Sequence, residues 1–288
     1  MTKNSFNYED EPQGAESFFE ISCDKRTRRF LDSIENIKGL RILEIGVGQG
    51  QFLKKVSQYR PELKFHGVDI SAAAIEILKR NTKISGDFQV AEAESLPFPD
   101  DYFDAVVMID VLEHIIDPIK ALEEINRVLN PKGIFHLYFP CENEPYTFDS
   151  LLRSSRISAL SNFTRDNFGH LHHLSQKEIK AAISRVFEIK DLTYSTHWVS
   201  QMLHISTLYI PKVLIAKLFP GAPWQFRDAS FSGEKKNLTI IQKYIYMAKW
   251  LWGAVVLLPT ALVYELEAVI LKKVSLGAQG LHFTCIKK

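Results

Sequence analysis

The sequence predicts an α/β protein with a doubly wound, seven-stranded, mostly parallel sheet and an α-helical insertion ahead of the last strand. Three observations carry the prediction. From Arg41 to Phe139, apolar runs of strand length alternate with amphipathic helical patterns. The first run passes into the first helix through a turn with glycine at alternate positions, Gly46, Gly48 and Gly50. The runs also end on chemically pointed residues, Glu44, Asp69, Glu92, Asp110 and Pro140. In a sheet wound this way ligands bind beyond the carboxyl ends of the strands, so these residues share one edge.

In chain order, the polar segment 1–13 has no apolar core of the signal-peptide kind and reads as a tail. An amphipathic pattern at Phe18, Phe19, Ile21, Phe30, Leu31 and Ile34 predicts one or two helices before the first strand. Between its parts lies Lys25-Arg26-Thr27-Arg28-Arg29, read as a solvated helix face, with contact to an anionic headgroup or phosphorylated substrate as the alternative. The first strand ends at Glu44-Ile45, and the helix after the glycines is broken at Arg60-Pro61-Glu62. A second strand closes on Asp69-Ile70, and Ser71 caps the next helix. A third strand, 88–91, leads into a long connection, 92–104, and the uninterrupted apolar run 105–109 has the character of a central strand covered on both faces. Asp117-Pro118 starts a helix that Asn130-Pro131-Lys132-Gly133 stops, and 134–139 is the fifth strand. Ser175 and Glu178 have capping-box spacing for a helix reaching Val186. Residues 187–196 and 280–288 form the last two strands.

Glycines at a strand-to-helix junction let a ligand approach the backbone closely. The spacing here is G-x-G-x-G, not the G-x-G-x-x-G of pyrophosphate-binding dinucleotide folds, and Glu44 stands two residues before the first glycine. A carboxylate there repels a pyrophosphate and suits a ligand bearing an ammonium group. Asp69, about twenty residues on, can accept both hydroxyls of a ribose.

Spacing and acid together resemble the first motif of the class I S-adenosylmethionine-dependent methyltransferases. The stretch Glu92-Ala93-Glu94-Ser95-Leu96-Pro97-Phe98 through Phe103-Asp104 resembles the same family over many more positions, with Glu92 where the family usually has Asp. Asp110-Val111-Leu112-Glu113-His114-Ile115 is a third family-like segment. The resemblance, closest to the small-molecule methyltransferases of the ubiquinone-biosynthesis kind, implies a Rossmann-like fold with S-adenosyl-L-methionine as cofactor. It implies that Glu44 meets the methionyl ammonium, directly or through water, while Gly46, Gly48 and Gly50 accommodate the methionyl chain. Asp69 would hold the ribose, Ile70 pack on the adenine, and Glu92 with the Ala93 backbone take its polar edge. Asp110 falls on the same edge. Residues just before the Ser175-capped helix border the acceptor pocket in this family. His170 is therefore a candidate to orient or deprotonate the acceptor, and His114 is the other candidate base, though it also fits a structural place at a helix start.

The three cysteines, Cys23, Cys141 and Cys285, form no C-x-x-C pair, and His170, His172 and His173 have no carboxylate or cysteine at a helical interval, so no metal is expected. A chain of 288 residues and 33.0 kDa, 46% hydrophobic and 24% charged, with a formal net charge of +1, gives no global sign of a nucleic-acid partner. A cytoplasmic setting fits.

The sequence divides into an N-terminal tail and helices, 1–38, a cofactor-binding domain, 39–197 plus 276–288, and an insertion, 198–275. The insertion holds two apolar tracts, 198–219 and 240–274. Its uncharged stretch 250–264 is shorter than the roughly twenty residues of a membrane span and contains Pro259. Lys212, Lys217, Arg227, Lys235, Lys236, Lys243 and Lys249 oppose only Asp228 and Glu234, in the company of Trp224, Trp250 and Trp252. A helical cap over the sheet and a membrane-interface element, peripheral on the inner face, fit this equally. The expected function is methyl transfer to a small, apolar or lipid-linked acceptor, at oxygen or nitrogen sooner than carbon. Its rivals are a binding protein of the same fold without turnover and a nicotinamide-dependent oxidoreductase, which Glu44 opposes.

Overall fold

The computed structural model describes residues 20–35, 40–81, 84–141, 171–172, 174–195, 197 and 280–288, together with positions 144, 147, 150, 262–263, 266–267, 269–276 and 278. Most of the insertion, 198–275, and His170 lie outside the described residues.

Helix α1 (Glu20–Ser33) precedes strand β1 (Arg41–Ile45), and the alternation continues with α2 (Gln51–Tyr59), β2 (Lys64–Asp69), α3 (Ala72–Asn81), β3 (Gly86–Val90) and β4 (Phe103–Ile109). A single 3₁₀ turn, Leu112–His114, leads to α4 (Pro118–Val128), β5 (Leu129–Pro140), α5 (Gln176–Val186), β6 (Phe187–Ser195) and β7 (Gly280–Lys287). The seven strands lie in the order β3-β2-β1-β4-β5-β7-β6. The pairs among β1 to β5 are parallel, and β7 runs antiparallel to both its neighbours. The expected doubly wound architecture is therefore present. The chain reverses its direction of travel across the sheet between β1 and β4, which opens a crevice at their carboxyl ends.

Each face of the sheet has its own core. Phe30 of α1 with Ile34 just after it, Phe52, Leu53 and Val56 of α2, and Ile75 and Leu78 of α3 pack on Ile42, Phe65, Ala105, Val107 and Ile134. On the other face Leu122 and Ile125 of α4 and Ile179 and Ile183 of α5 pack on Leu43, Val106, Leu137, Phe139 and Phe283. Alternation in β1 follows from this: Leu43 and Ile45 face one core, and Ile42 the other.

The helix starts form as their sequences dictate. Asp117 accepts from the Lys120 amide at 3.1 Å with Pro118 in the first turn, Ser71 accepts from the Ala74 amide at 3.1 Å, and Ser175 with Glu178 forms a reciprocal capping box. Several strand boundaries move, β4 for instance beginning at Phe103, and two of the shifts have a visible cause. β3 begins at Gly86, two residues early, because its backbone pairs with Phe65 of β2 there. Helix α4 ends at Val128, and Leu129 already belongs to β5 opposite Phe103, so 130–133 is an excursion within the strand, with Lys132 at φ +65°. The fully buried Leu129 side chain fixes that boundary, outweighing the stop signal of Pro131.

Candidate active site

Glu44 stands next to last in β1, 5% exposed. Its Oε2 is buried without a hydrogen-bond partner. Burial first, and the charge of Asp69 second, push its carboxyl well above the usual carboxylate range, against a backbone hydrogen bond from Leu53. A buried acceptor left without a donor is costly, and a cation brought to it would satisfy both its lone pairs and its charge.

The glycine turn folds directly beyond this carboxylate. The amides of Gly46 and Val47 both donate to the Val68 carbonyl, at 2.8 and 3.0 Å, so the loop is tied across the end of β2. Gly46 has φ +73°, and a Cβ there would meet Val111 at 2.2 Å, whereas at Gly50, φ +76°, it would meet Leu78 at 2.3 Å. Both positions thus require glycine twice over, for backbone conformation and for space. Gly48 is also left-handed, at φ +50°.

Asp69 ends β2 and does more than sequence reasoning assigned to it. Its Oδ2 accepts from the Gly48 amide at 2.8 Å and its Oδ1 from the Ser71 amide at 2.9 Å. It holds the glycine loop and the start of α3 together, and a carboxylate with two such bonds keeps further lone pairs able to accept. Ile70 beside it is 56% exposed, an apolar surface on the same edge. The Ala91 amide donates to the Asp69 carbonyl at 3.0 Å, bringing Glu92, which is exposed, and Ala93, which is buried, to the same edge.

The connection that carries Glu92 and Ala93 is stapled from α4. Arg127 donates to the Phe98 and Leu96 carbonyls at 2.8 and 3.0 Å and to Asp100 at 2.8 Å, and pairs with Glu124, which itself accepts from the Leu96 amide at 3.0 Å. Hydrogen bonding to Arg127 holds the Glu124 carboxyl below its ordinary range. This staple was not foreseen in the sequence, although an acid and an arginine three apart on a helix facing a proline-rich loop are its trace.

Asp110 follows β4 with φ +54°, unusual for a residue other than glycine, and its carboxylate is bound by Arg26 of α1 at 2.5 Å. The Arg26 guanidinium lies 3.8 Å from the centre of the Tyr138 ring on β5. The basic run in α1 is therefore not a uniform solvated face: Thr27 is fully buried, Arg28 is exposed, and Arg26 is turned onto the sheet's carboxyl edge. The legible signal is that Arg26 lies four residues before Phe30 and eight before Ile34, on the helix's buried stripe.

Beyond Tyr138 the edge remains polar. Its ring lies 4.6 Å from that of His282 on β7, and His282 Nε2 is 3.0 Å from the Ser195 hydroxyl at the end of β6. A Cβ on Gly280 would sit 2.5 Å from that hydroxyl and 2.8 Å from the Tyr138 oxygen, so the two converge on the glycine. Sequence reasoning passed over Tyr138, Ser195 and His282, because single polar residues inside strands carry no spacing signal.

His114 closes the 3₁₀ turn after β4, its Nε2 4.0 Å from Glu113 Oε1. The amides of Leu171 and His172 donate to the Glu113 carbonyl at 2.9 and 3.1 Å, and the His172 ring reaches the Ile116 carbonyl at 3.3 Å. The histidine-rich segment is thus docked on this turn by its described residues. Among the described residues no group of His, Cys, Asp and Glu is placed to hold a metal ion.

Comparison with known proteins agrees with this geometry. The profile of the methyltransferase domain family matches residues 43–137, from β1 into β5. An O-methyltransferase, rstn1 of Aspergillus nomiae, is 32% identical over 129 residues, 43% of this chain and 56% of the relative. The ubiquinone/menaquinone biosynthesis C-methyltransferase UbiE of Geotalea daltonii is 30% identical over 120 residues, 39% of this chain and 51% of the relative. The chain spans about half the length of the curated relatives it matches. Among solved structures, phosphoethanolamine N-methyltransferase 2 of Haemonchus contortus, in complex with S-adenosyl-L-methionine, superposes with a TM-score of 0.56 at 14% identity, over 100% of this chain and 61% of the other. The [4+2]-cyclase SpnF superposes at 0.54 and 19% identity, over 96% of this chain and 84% of the other. The last pair shows the fold, which hosts more than one chemistry. The family profile covers the stretch that carries Glu44, the glycine turn, Asp69 and Glu92, and over residues 43–137 the chain carries a methyltransferase domain of the S-adenosylmethionine-dependent kind.

Proposed function

We propose that the protein transfers a methyl group from S-adenosylmethionine to a small acceptor that is apolar or lipid-linked, at oxygen or nitrogen sooner than carbon. The observation that carries the cofactor half of this reading is the buried Glu44 carboxylate with an unsatisfied oxygen beside the glycine turn. A methionyl ammonium supplies the missing donors and charge. A pyrophosphate would be repelled, which tells against the nicotinamide alternative.

When bound, the cofactor supplies an electrophilic methyl group on a sulfonium, and the protein's task is alignment. Glu44 holds the ammonium end, Asp69 keeps the glycine loop in place and offers its remaining lone pairs to the ribose, and Ile70 packs against the adenine. Glu92 and the Ala93 backbone take the adenine's polar edge. His114, which follows β4, is the candidate to receive a proton leaving an acceptor oxygen or nitrogen, and His170, outside the described residues, is the other.

The acceptor class rests on two supports. The apolar and basic insertion is suited to apolar compounds, and the relatives include UbiE and a phthiotriol/phenolphthiotriol dimycocerosates methyltransferase of Mycobacterium ulcerans, 29% identical over 154 residues. Calorimetric titration with S-adenosylmethionine, S-adenosylhomocysteine and NADH tests the cofactor. Micromolar affinity for the two sulfur compounds alone is expected, and failure of folded protein to bind them overturns the reading. Incubation with methyl-labelled cofactor and membrane extract tests the acceptor. Label should enter the organic phase, and label confined to the aqueous phase would exclude an apolar acceptor.

A further inference from the structure

Residues 262, 263, 266, 267, 269 and 270, ahead of β7, are helical, and their polarity is inverted. Leu262, Leu266, Val269 and Ile270 recur at the spacing of one helix face and are 61, 54, 65 and 73% exposed, while Glu267 is buried at 8%. Val274 and Leu276 continue the exposed apolar surface. Among the described residues of this helix, the Glu267 carboxylate turns inward and the leucines outward, an arrangement not built for water.

This surface is held firmly. The Tyr194 amide of β6 donates to the Lys272 carbonyl at 2.8 Å, Lys273 pairs with Asp191 and donates to the Leu192 carbonyl at 3.2 Å, and His197 meets the Val274 carbonyl at 2.8 Å. From α5, Gln176 donates to the carbonyls of Ser275 and Ala278 at 3.1 and 3.3 Å. The strap crosses the end of edge strand β6 next to Ser195, which fixes the apolar face beside the sheet's carboxyl edge. Ile116, after β4, is also exposed on that edge, at 82%.

We infer that this face docks on an anionic bilayer surface. The chain leading into it argues for that occupant: the uncharged stretch 250–264 with Trp250 and Trp252 is preceded by seven basic residues against two acidic ones between 212 and 249. Basic residues, tryptophan and an apolar face are the combination that binds a negatively charged membrane interface. No helix among the described residues is long and apolar enough to cross a membrane. Such seating presents the acceptor edge to compounds dissolved in the bilayer, but the inference stands on the exposed face and holds whatever the acceptor is.

The test is co-sedimentation of the full chain with phosphatidylcholine vesicles, with and without phosphatidylglycerol. Two double variants serve, Leu266→Glu with Ile270→Glu and Leu266→Ser with Ile270→Ser, and thermal melts check folding. Binding that rises with the anionic lipid and falls by about tenfold or more in both folded variants is expected. Wild-type protein that ignores both vesicle types, variants that bind undiminished, or a light-scattering dimer that the variants dissociate would each overturn it.

Discussion

The two halves of the sheet's carboxyl edge treat their polar groups in opposite ways. Over β1 and β2, the structure leaves a charge in want of a partner: Glu44 is buried, raised in pKa and short of one donor. Over β4, β5, β7 and β6, a set of polar groups is engaged with one another, Asp110 by Arg26, Arg26 on Tyr138, and His282 with Ser195. The difference teaches how each half meets its ligand. On the proposed function, the first is completed by the cofactor's ammonium, so it is selective by electrostatic need. The second is closed on itself, so whatever enters there has to displace or extend contacts that already exist.

The sharpest way to break this comparison is Glu44→Gln. Removing the charge should weaken S-adenosylmethionine binding by about 2 kcal/mol or more, the scale of one partner lost from a buried charge pair. It should also raise the stability of the ligand-free protein. Glu44 has a folded pKa above its unfolded value of 4.5, so its contribution is present at acid pH and is lost as pH rises through the folded value. Ligand-free wild type should therefore lose stability relative to the variant across that window, and bound cofactor should remove the difference. Paired denaturation curves from pH 4 upward read this directly, and parallel curves would show that Glu44 is not strained. His136, buried and lowered to about 3 by burial and by Arg29, gives the opposite slope in both proteins and cancels.

Next in size is Asp69→Asn. Its amide nitrogen has to face either the Gly48 or the Ser71 amide, donor against donor, so one of two charge-assisted hydrogen bonds is lost at about 1.5–3 kcal/mol. Cofactor affinity and thermal stability should fall together, in contrast to Glu44→Gln, where they move apart. Calorimetry and melting on the same preparation distinguish the two patterns.

Gly280→Ala probes the closed half. The added methyl would sit 2.5 Å from the Ser195 hydroxyl and 2.8 Å from the Tyr138 oxygen, and relief of that overlap should cost about 1–3 kcal/mol of stability. Cofactor affinity should be unchanged, because the β1 and β2 ends are not involved. A variant as stable as wild type would mean that the Tyr138, Ser195 and His282 group packs loosely.

How much of this was legible follows the same division. The cofactor half is written locally: Glu44, the glycines, Asp69 and the 92–104 segment announce themselves because one strand, one turn and one helix start hold them in sequence order. The other half is assembled from α1, β5, β6 and β7, whose residues meet only after folding. Tyr138, Ser195 and His282 therefore looked like ordinary strand residues, and Arg26 like one member of a charge run. Asp69 was half read: an acid at a strand end was visible, but its hold on the Gly48 amide depends on how the loop crosses β2. The exposed face of 262–276 was visible as an apolar tract, whereas its inversion around Glu267 needed the burial pattern.

The smallest effect, and the most discriminating, is expected for Arg26→Met. Asp110 is 44% exposed in its side chain, so the ion pair is largely screened, and its loss with the stacking on Tyr138 should cost less than about 1 kcal/mol. Methionine keeps the apolar part of the contact with the ring. If Arg26 only fastens α1 to the edge, the melting temperature should drop slightly and methyl transfer to an uncharged acceptor should be unaltered. If the pair is a gate that an acceptor must open, turnover at low acceptor concentration should rise while the maximal rate stays fixed. That change in KM without a change in kcat is one that loss of a fastening contact does not produce, and it would place the barrier to entry at the contact between α1 and β4.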